Sequence, residues 1–293
     1  MKSDLSLCPN FNFQISNTMD NRENEKIEID LLIRAIYLKY GYDFRDYSKA
    51  SIRRRVLGRL SKSEFSTISE MQHDLLYNPG FFEKLLLDLT VNVSEMFRDP
   101  LFFKAIRETV VPELKNQPFI KVWHAGCSTG EEVYSMAILF REEGVLDAST
   151  IYATDVNEAV LDKAKKGIFP IDRMKDYTRN YKMAGGLASF ADYYTARYDR
   201  TIMDRRLRKN IVFSDHNLVT DSVFGEMDLI ICRNVLIYFS RELQDRVFGL
   251  FAESLRKGGF LCLGSKESMM FSKHADRFES VVKKEKIYRR LEI

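Results

Sequence analysis

The chain has 293 residues, of which 45% are hydrophobic and 30% are charged, and its formal net charge is +3. This length suits one large or two modest domains with an ample core, and the composition is typical of a soluble globular protein. The net charge is too small to indicate a nucleic-acid-binding protein by itself.

Cysteine usage and hydrophobic runs bear on the cellular compartment. The cysteines are scattered without a C-x-x-C pair, which argues against a zinc site and against a disulfide framework. They are Cys8, Cys127, Cys232 and Cys262. No apolar run approaches the roughly 20 residues needed to span a bilayer, and no signal-peptide sequence opens the chain. We therefore expect a soluble cytoplasmic protein without a metal.

The N-terminal part divides into a tail and a helical region. Residues 1–25 are rich in Asn, Ser and charge with no sustained hydrophobic period, which predicts a flexible tail. Between residues 26 and 90, apolar side chains recur at helical spacing, which predicts a small all-α domain of four helices. Gly41 is expected to end the first helix, Ser66 to cap the third, and Phe81 to begin the fourth.

The second predicted helix, which starts near Ser48, is strongly basic. It combines an apolar stripe with Arg53, Arg54, Arg55 and Arg59. Charged runs are usually solvated faces, but unpaired like charges on one helix destabilise it slightly. The single sign of this charge therefore favours an acidic partner, which is either a glutamate-rich protein helix or a nucleic acid.

Residues 91–117 connect the helical region to the rest of the chain. The segment begins with a polar stretch that contains Asn92, Ser94 and Arg98, and it continues with a predicted helix from Phe102 to Val111. The polar side chains either approach the glycine turn that follows or cap adjacent helices. The pattern leaves both interpretations open.

A strand, a glycine turn and a helix come next, in the order that opens a nucleotide-binding βαβ unit. The apolar run from Phe119 to Ala125 predicts a buried strand, Gly126 and Gly130 interrupt it, and helical spacing resumes at Glu131. Glycine lets the backbone come close to a ligand, and the first turn of a helix presents unpaired N–H groups.

The glycine turn favours a cationic ligand. Its spacing is not that of a dinucleotide site, because only Gly-x-x-x-Gly is present. Glu131 and Glu132 also lie where a pyrophosphate would bind, and like charges repel. S-adenosylmethionine, with its sulfonium and ammonium groups, meets the requirement. Asp155, at the end of the next predicted strand, is placed to accept hydrogen bonds from both ribose hydroxyls, or alternatively caps the helix that starts near Asn157.

Residues 118–293 are predicted to form an α/β domain with a small hairpin excursion around residues 183–205. The apolar run Met227–Cys232 is typical of a central parallel strand. Arg233, Asn234 and Tyr238 follow it, at the end of the strand where ligand groups gather in open α/β sheets.

The last elements of this domain are predicted from capping and glycine signals. Ser240 is expected to cap a long helix that runs to Leu255 and is ended by Gly258–Gly259. A strand should begin at Phe260, and an antiparallel pair of strands should close the sheet.

Six segments together resemble the CheR-type chemotaxis receptor methyltransferases, in the order of that family and near its spacings. They are NVSEMFRDP, AGCSTGEEVYS, ATDVNEAVLDKAKKGIF, DHNLV, CRNVLIYF and GSKES. The resemblance covers the chain from about Ile27 to its C-terminus. It implies a helical domain whose basic helix contacts the receptor. A Rossmann-like S-adenosylmethionine-dependent methyltransferase domain with a mostly parallel seven-stranded sheet and a small β subdomain would follow.

The resemblance also implies a reaction and a site. The family transfers a methyl group from S-adenosylmethionine to the γ-carboxylate of receptor glutamates, which forms a glutamate methyl ester and S-adenosylhomocysteine. Arg98 and Tyr238 would lie nearest the transferred methyl group. Together with Gly126 of the glycine turn, the residues expected to contact the cofactor are Asn92, Ser94, Arg98, Glu132, Asp155, Asn217, Leu218, Arg233 and Asn234.

The implied partner is a methyl-accepting chemotaxis-type receptor, whose acidic methylation helices would meet the arginines of the basic helix. The protein would reach the membrane only through that receptor, would bind no nucleic acid, and is expected to be a monomer. Met96 stands where the family commonly has an aromatic residue, and Ser94 where it often has threonine. The β subdomain differs enough that no receptor C-terminal peptide is assigned to it.

The implied reaction requires few catalytic groups, because a glutamate carboxylate is already ionised at pH 7. The site has to align and desolvate this nucleophile, and it needs no general base. His124, His216 and Cys127 are accordingly interpreted as structural residues.

Two alternative functions remain. One is methylation of a nucleic acid, against which the small net charge and the absence of an Asn/Asp-Pro-Pro-Tyr motif argue; the other is a cofactor-binding scaffold without turnover.

Overall fold

The computed structural model describes residues 21–90, 94–223 and 225–292. Four helices precede the sheet and pack their apolar faces together, with Leu32, Ile36, Val56 and Leu85 fully buried between them. This arrangement confirms the predicted small all-α domain. Its helices are α1 (Asn21–Tyr40), α2 (Lys49–Leu60), α3 (Ile68–Tyr77) and α4 (Pro79–Leu89).

The starting points of three helices differ from the sequence-based expectations. Helix α1 begins at Asn21, inside the segment predicted as a tail. Helix α3 is capped by Thr67 instead of Ser66, because the Thr67 hydroxyl accepts a hydrogen bond from the Glu70 N–H at 3.2 Å while the Glu70 carboxylate accepts one from the Thr67 N–H. Helix α4 begins earlier than expected, at Pro79, since proline suits a first turn in which no N–H donor is required.

A connecting helix leads into the second domain and is buried against its core through Phe102, Phe103 and Ile106. This helix has three parts, α5 (Pro100–Ala105), a π-helical turn (Ile106–Val110) and α6 (Val111–Leu114). The elements that follow are β1 (Ile120–Ala125), α7 (Glu131–Glu142), β2 (Ser149–Asp155), α8 (Glu158–Lys166), β3 (Ile168–Pro170), α9 (Met174–Met183), β4 (Tyr194–Arg197), β5 (Arg200–Met203), α10 (Arg205–Arg208), β6 (Ile211–Asp215), β7 (Met227–Cys232), α11 (Arg241–Ser254), β8 (Leu255–Leu263), β9 (Phe278–Val282) and β10 (Ile287–Arg290).

Seven strands form one sheet in the order β6-β2-β1-β7-β8-β10-β9. The neighbours from β6 to β8 pair in parallel, and β10 pairs antiparallel with both β8 and β9. Strand β7 is buried along its whole length, as expected for a parallel strand covered on both faces. The predicted mostly parallel seven-stranded sheet is confirmed, including its closing antiparallel pair.

The junction between α11 and β8 differs from the prediction. Ser240 caps α11 as expected, since its hydroxyl accepts a hydrogen bond from the Leu243 N–H at 3.2 Å, but the backbone is already extended at Leu255. Gly258–Gly259 therefore lies inside β8 and does not end the helix. A Cβ at the second glycine would lie 2.9 Å from the Arg256 carbonyl oxygen, so glycine permits a tight irregularity where β7 and β8 shift register.

A second, small antiparallel sheet has the strand order β3-β5-β4. Strands β4 and β5 form the predicted hairpin, with Tyr198 and Asp199 at the turn. Strand β3 adds a third strand that the sequence did not indicate, and it pairs Ile168 with Ile202. The β subdomain therefore extends beyond the predicted hairpin, because β3 lies between α8 and α9 in the chain and so precedes residues 183–205.

The order of the large sheet explains where a ligand can bind. Strand β1 has β2 on one side and β7 on the other, so the direction of strand addition reverses there. In open α/β sheets, a crevice forms at such a reversal, outside the C-terminal ends of the strands. Gly126 follows β1 and Arg233 follows β7, which places both at this crevice.

Candidate active site

A cleft opens at the C-terminal ends of β1, β2 and β7, and the helical domain covers one side of it through Tyr47, Arg55, Leu89 and Thr90. Every predicted cofactor-binding residue within the described ranges lines this cleft. These residues are Ser94, Arg98, Gly126, Glu132, Asp155, Asn217, Leu218, Arg233 and Asn234. Asn92 lies outside the described residues.

The turn after β1 depends on two glycines in the left-handed region. The φ angle is 79° at Gly126 and 93° at Gly130. A Cβ at Gly126 would lie 2.6 Å from Val235 Cγ2, and one at Gly130 would lie 2.9 Å from Ala164 Cβ. Both positions therefore require glycine because other segments of the chain approach closely, in addition to any approach of a ligand.

Asp155 ends β2 and holds the glycine turn in place. Its carboxylate accepts hydrogen bonds from the Ser128 N–H at 2.9 Å and from the Asn157 N–H at 3.0 Å, one on each oxygen. Helix α8 is capped by Asn157 through the Ala159 N–H, so the alternative that Asp155 is the cap is wrong. Burial raises the pKa of Asp155, although these backbone N–H groups oppose the shift. Each oxygen retains a second acceptor site, which ribose hydroxyls require.

Glu132 belongs to a buried network of charges beside the cleft. Arg233 donates to Glu132 Oε2 and to Asp99 Oδ2, each at 2.6 Å, and the Arg233 side chain is 2% exposed. The Arg233 guanidinium carbon also lies 4.0 Å from the ring centroid of Phe102. Burial alone would raise the pKa of Glu132, but Arg233, together with His124, lowers it below the ordinary value. Arg233 therefore keeps Glu132 ionised and oriented.

The electrostatics of the cleft fit S-adenosylmethionine. Glu132 and Asp155 place two carboxylates on its wall, while the charge of Arg233 is matched by two carboxylate partners. Carboxylates attract the sulfonium and ammonium groups of the cofactor and accept hydrogen bonds from its ribose. The same carboxylates would repel a pyrophosphate, which agrees with the expectation drawn from the glycine spacing.

The helical domain is attached to the sheet domain beside the cleft. The Ser48 N–H donates to the Tyr238 carbonyl oxygen at 2.8 Å, directly before α2. At the other end of the helical domain, the Thr90 hydroxyl oxygen accepts a hydrogen bond from Asn157 Nδ2 at 3.1 Å. Both bonds involve segments that carry cleft residues, so the two domains jointly determine the shape of the cleft.

Arg55 is the member of the predicted substrate-binding set that lines the cleft. It is 8% exposed and donates a hydrogen bond to the Leu89 carbonyl oxygen. Its guanidinium carbon lies 4.3 Å from the ring centroid of Tyr238, in the geometry of a cation–π contact. The sequence placed Arg55 in a uniform basic run, whereas the structure turns it toward the junction of the domains.

The other three arginines of α2 lie away from the cleft. Arg53 pairs with Glu25 of α1, and Arg59 pairs with Asp88 of α4. Arg54 is exposed. The expectation that this helix carries unpaired charge therefore applies to part of the run, because two of the four guanidinium groups have carboxylate partners in the same domain.

Arg98 and Tyr238 both line the cleft and are half-buried, so a bound ligand can reach them. Burial raises the pKa of the Cys127 thiol well above its ordinary value, which keeps it neutral and fits a packing role. His124 is buried within β1, and His216 contacts the Ser222 carbonyl oxygen at 3.3 Å. Across residues 21–90, 94–223 and 225–292, no cluster of three or more His, Cys, Asp or Glu side chains could hold a metal ion.

Sequence reasoning missed several groups that build the site. Tyr47 and Thr90 line the cleft from the helical domain, and Asp99 pairs with Arg233. Glu267 accepts hydrogen bonds from the backbone of the loop after β7. The available signal for Glu267 was an acid in the GSKES segment, directly after a buried strand, but no role followed from that pattern.

The reversal of strand order at β1, the glycine turn and the carboxylate-lined cleft together define a Rossmann-like S-adenosylmethionine-dependent methyltransferase. Comparison with known proteins leads to the same class. The family described as "CheR methyltransferase, SAM binding domain" matches residues 92–287, and "CheR methyltransferase, all-alpha domain" matches residues 27–90. The chain belongs to the CheR methyltransferase family.

Similar proteins come from several bacteria. Cher3 of Pseudomonas putida is 58% identical over 272 residues, which are 93% of this chain and 100% of that protein. The chemotaxis protein methyltransferase of Listeria monocytogenes is 30% identical over 239 residues, or 81% of this chain and 88% of the relative. Chemotaxis protein methyltransferase 1 of Vibrio cholerae is 31% identical over 251 residues, or 80% of this chain and 86% of the relative.

In the described part of the chain, no helix has both the length and the apolar character to cross a membrane.

Proposed function

We propose that this methyltransferase modifies the side-chain carboxylates of glutamate residues in a chemotaxis-type receptor and so forms glutamate methyl esters. The observation that carries the proposal is the position of Arg55, which reaches from the helical domain to the cleft beside Tyr238. A guanidinium at the edge of a cofactor cleft suits an anionic acceptor group. Relatives named chemotaxis protein methyltransferases support a role in chemosensory signalling.

Residues of the sheet domain would hold the cofactor. When bound, S-adenosylmethionine supplies a methyl group that its positive sulfonium activates. Asp155 would accept hydrogen bonds from the ribose, and Glu132, kept ionised by Arg233, would balance positive charge. The backbone at Gly126, together with Ser94, Arg98, Asn217, Leu218 and Asn234, would complete the contacts from the surrounding loops.

Residues at the domain junction would position the acceptor. A glutamate carboxylate near its ordinary pKa of about 4.3 is ionised at neutral pH, so the site needs no general base. Arg98 and Tyr238 would align the carboxylate, and Arg55 would support the Tyr238 ring. Coverage of the cleft by the helical domain would reduce the hydration of the nucleophile, which lowers the barrier further.

The helical domain would bind the receptor, and the sheet domain would bind the cofactor. Residues 26–90 would present α2 to acidic receptor helices through the exposed Arg53 and Arg54, whereas Arg55 lines the cleft and Arg59 is paired with Asp88. Residues 91–117 connect the two domains, and residues 118–293 would bind the cofactor. The protein would act as a monomer in the cytoplasm and reach the membrane through the receptor.

The chemical stability of the product tests the proposal. The protein is incubated with methyl-labelled S-adenosylmethionine and receptor-containing membranes, and the labelled receptor is then exposed to mild alkali. A glutamate methyl ester hydrolyses and releases volatile labelled methanol, which is the expected result. Alkali-stable label on protein would indicate nitrogen methylation, and label on nucleic acid would indicate a different substrate. Cofactor binding without transfer to any receptor preparation would indicate a scaffold.

A further inference from the structure

A buried carboxylate holds the loop that follows β7. Glu267 is 4% exposed. Its Oε1 accepts hydrogen bonds from the Val235 N–H at 2.9 Å and the Leu236 N–H at 2.8 Å. Its Oε2 accepts from the Asn234 N–H at 3.1 Å and the Gly264 N–H at 2.6 Å. One side chain therefore satisfies the N–H groups of three successive loop residues and ties them to the end of β8.

The backbone of the loop is shaped to surround an anion. Asn234 has a φ angle of 62°, and this left-handed residue lets successive N–H groups converge on one carboxylate. The residue after β8 also lies close to this loop, since a Cβ at Gly264 would lie 2.8 Å from both Glu267 Oε2 and the Asn234 nitrogen. Hydrogen bonds to an ionised acceptor are stronger than neutral ones, so Glu267 restrains this backbone firmly.

The restrained loop carries much of the cleft wall. Asn234 and Tyr238 line the cleft. Val235 contacts the glycine turn, because a Cβ at Gly126 would lie 2.6 Å from Val235 Cγ2. A shift of the loop would therefore move the predicted cofactor ligands, the Tyr238 ring and the glycine turn together.

We propose that Glu267 is a positioning residue for this methyltransferase: its carboxylate fixes the loop from Asn234 to Tyr238 and thereby sets the geometry in which the cofactor is bound. The proposal does not depend on the receptor glutamate as substrate. Burial raises the pKa of Glu267, even though the four N–H groups oppose the shift, so keeping this group ionised is unfavourable for folding. In the folded protein, the ionised carboxylate aligns the loop that lines the cleft.

The first experiment replaces Glu267 by glutamine and measures S-adenosylhomocysteine affinity by calorimetry, below the unfolding midpoint of each variant. The glutamine oxygen can serve one pair of N–H groups, while its NH₂ group faces the other pair. We expect affinity to fall by roughly tenfold or more because two buried donors lose their acceptor. Glu253→Gln, on the exposed face of α11, is the matched control and should bind like the wild-type protein.

A second experiment separates positioning from general stability. Glu267→Ala leaves a space bordered by four N–H donors, which formate can enter as a carboxylate. We expect added formate to restore much of the lost S-adenosylhomocysteine affinity, whereas the neutral analogue formamide should not, and Glu253→Ala should respond to neither. The proposal is overturned if Glu267→Gln binds within about twofold of wild type while only its unfolding midpoint falls. It is also overturned if formate and formamide restore affinity equally.

Discussion

The guanidinium carbon of Arg55 lies 4.3 Å from the ring centroid of Tyr238, which brings the second helix of one domain against the loop that follows β7 in the other. Arg55 is held from its other side by the Leu89 carbonyl oxygen, at the end of the helical domain. The Ser48 N–H also donates to the Tyr238 carbonyl oxygen at 2.8 Å. Tyr238 is therefore positioned by the helical domain through both its ring and its backbone.

The Tyr238 hydroxyl should matter for transfer and little for cofactor binding. Tyr238→Phe preserves the ring under Arg55 and removes only the hydroxyl, so we expect a lower rate of receptor methylation with S-adenosylhomocysteine affinity unchanged. Arg98→Ala should also slow transfer through lost alignment. Rates measured from about pH 6 to 8.5 should stay nearly flat in each case, because a glutamate acceptor is ionised throughout. A rate that rises steeply across this range would indicate that a proton acceptor takes part in the reaction, which would contradict the mechanism.

Asp155 should determine cofactor affinity. Asp155→Ala removes the acceptors proposed for the ribose hydroxyls and also frees the Ser128 N–H of the glycine turn. We expect binding of S-adenosylmethionine to weaken by about 1–3 kcal/mol, as measured by calorimetry. Asp162→Ala, on the exposed side of α8, is the control. Unchanged affinity in Asp155→Ala would remove the ribose assignment.

The exposed arginines of α2 should influence receptor capture. A double variant, Arg53→Ala with Arg54→Ala, removes two exposed positive charges that lie away from the cofactor cleft. We expect weaker receptor methylation, a smaller dependence on salt, and unchanged S-adenosylmethionine affinity, since steering between opposite charges is screened by ions. A parallel loss of cofactor affinity would show that the helix supports the fold. No change in either property would show that Arg53 and Arg54 form a solvated face.

The ion pair between Glu132 and Arg233 should give a pH-dependent stability. The pKa of Glu132 is lowered in the folded protein from an ordinary value of 4.5, so its contribution is present above that value and is lost as the pH falls through the folded-state pKa. At pH 7, Glu132→Gln should reduce the free energy of unfolding by about 2 kcal/mol. Denaturant titrations should show this difference shrinking below about pH 4.5. Glu64→Gln, at an exposed position, should show no such trend.

Much of the architecture could be predicted because it depends on local patterns. Helical spacing of apolar residues indicates the helices of the small domain, and the buried run Met227–Cys232 indicates a central strand. The glycine turn and Asp155 indicate a cofactor cleft, because the ends of neighbouring parallel strands meet at one edge of a sheet. Local signals are weaker at boundaries, where Thr67 instead of Ser66 caps α3 and Gly258–Gly259 falls inside a strand.

Sequence alone determined the class of fold, through periodicity and turn chemistry, and the resemblance to a family, through the order of its motifs. That resemblance implied many of the residues that line the cleft, although not Tyr47 and Thr90. Tertiary structure decided which side chains line the cleft and which are paired elsewhere. Arg55 and Arg54 are adjacent in one basic run, yet Arg55 is buried against Tyr238 while Arg54 is exposed. Glu267 has its role only because folding brings its carboxylate to backbone N–H groups that lie 31 to 33 residues away along the chain. Such roles depend on contacts between distant segments, and residue types and spacing do not specify those contacts.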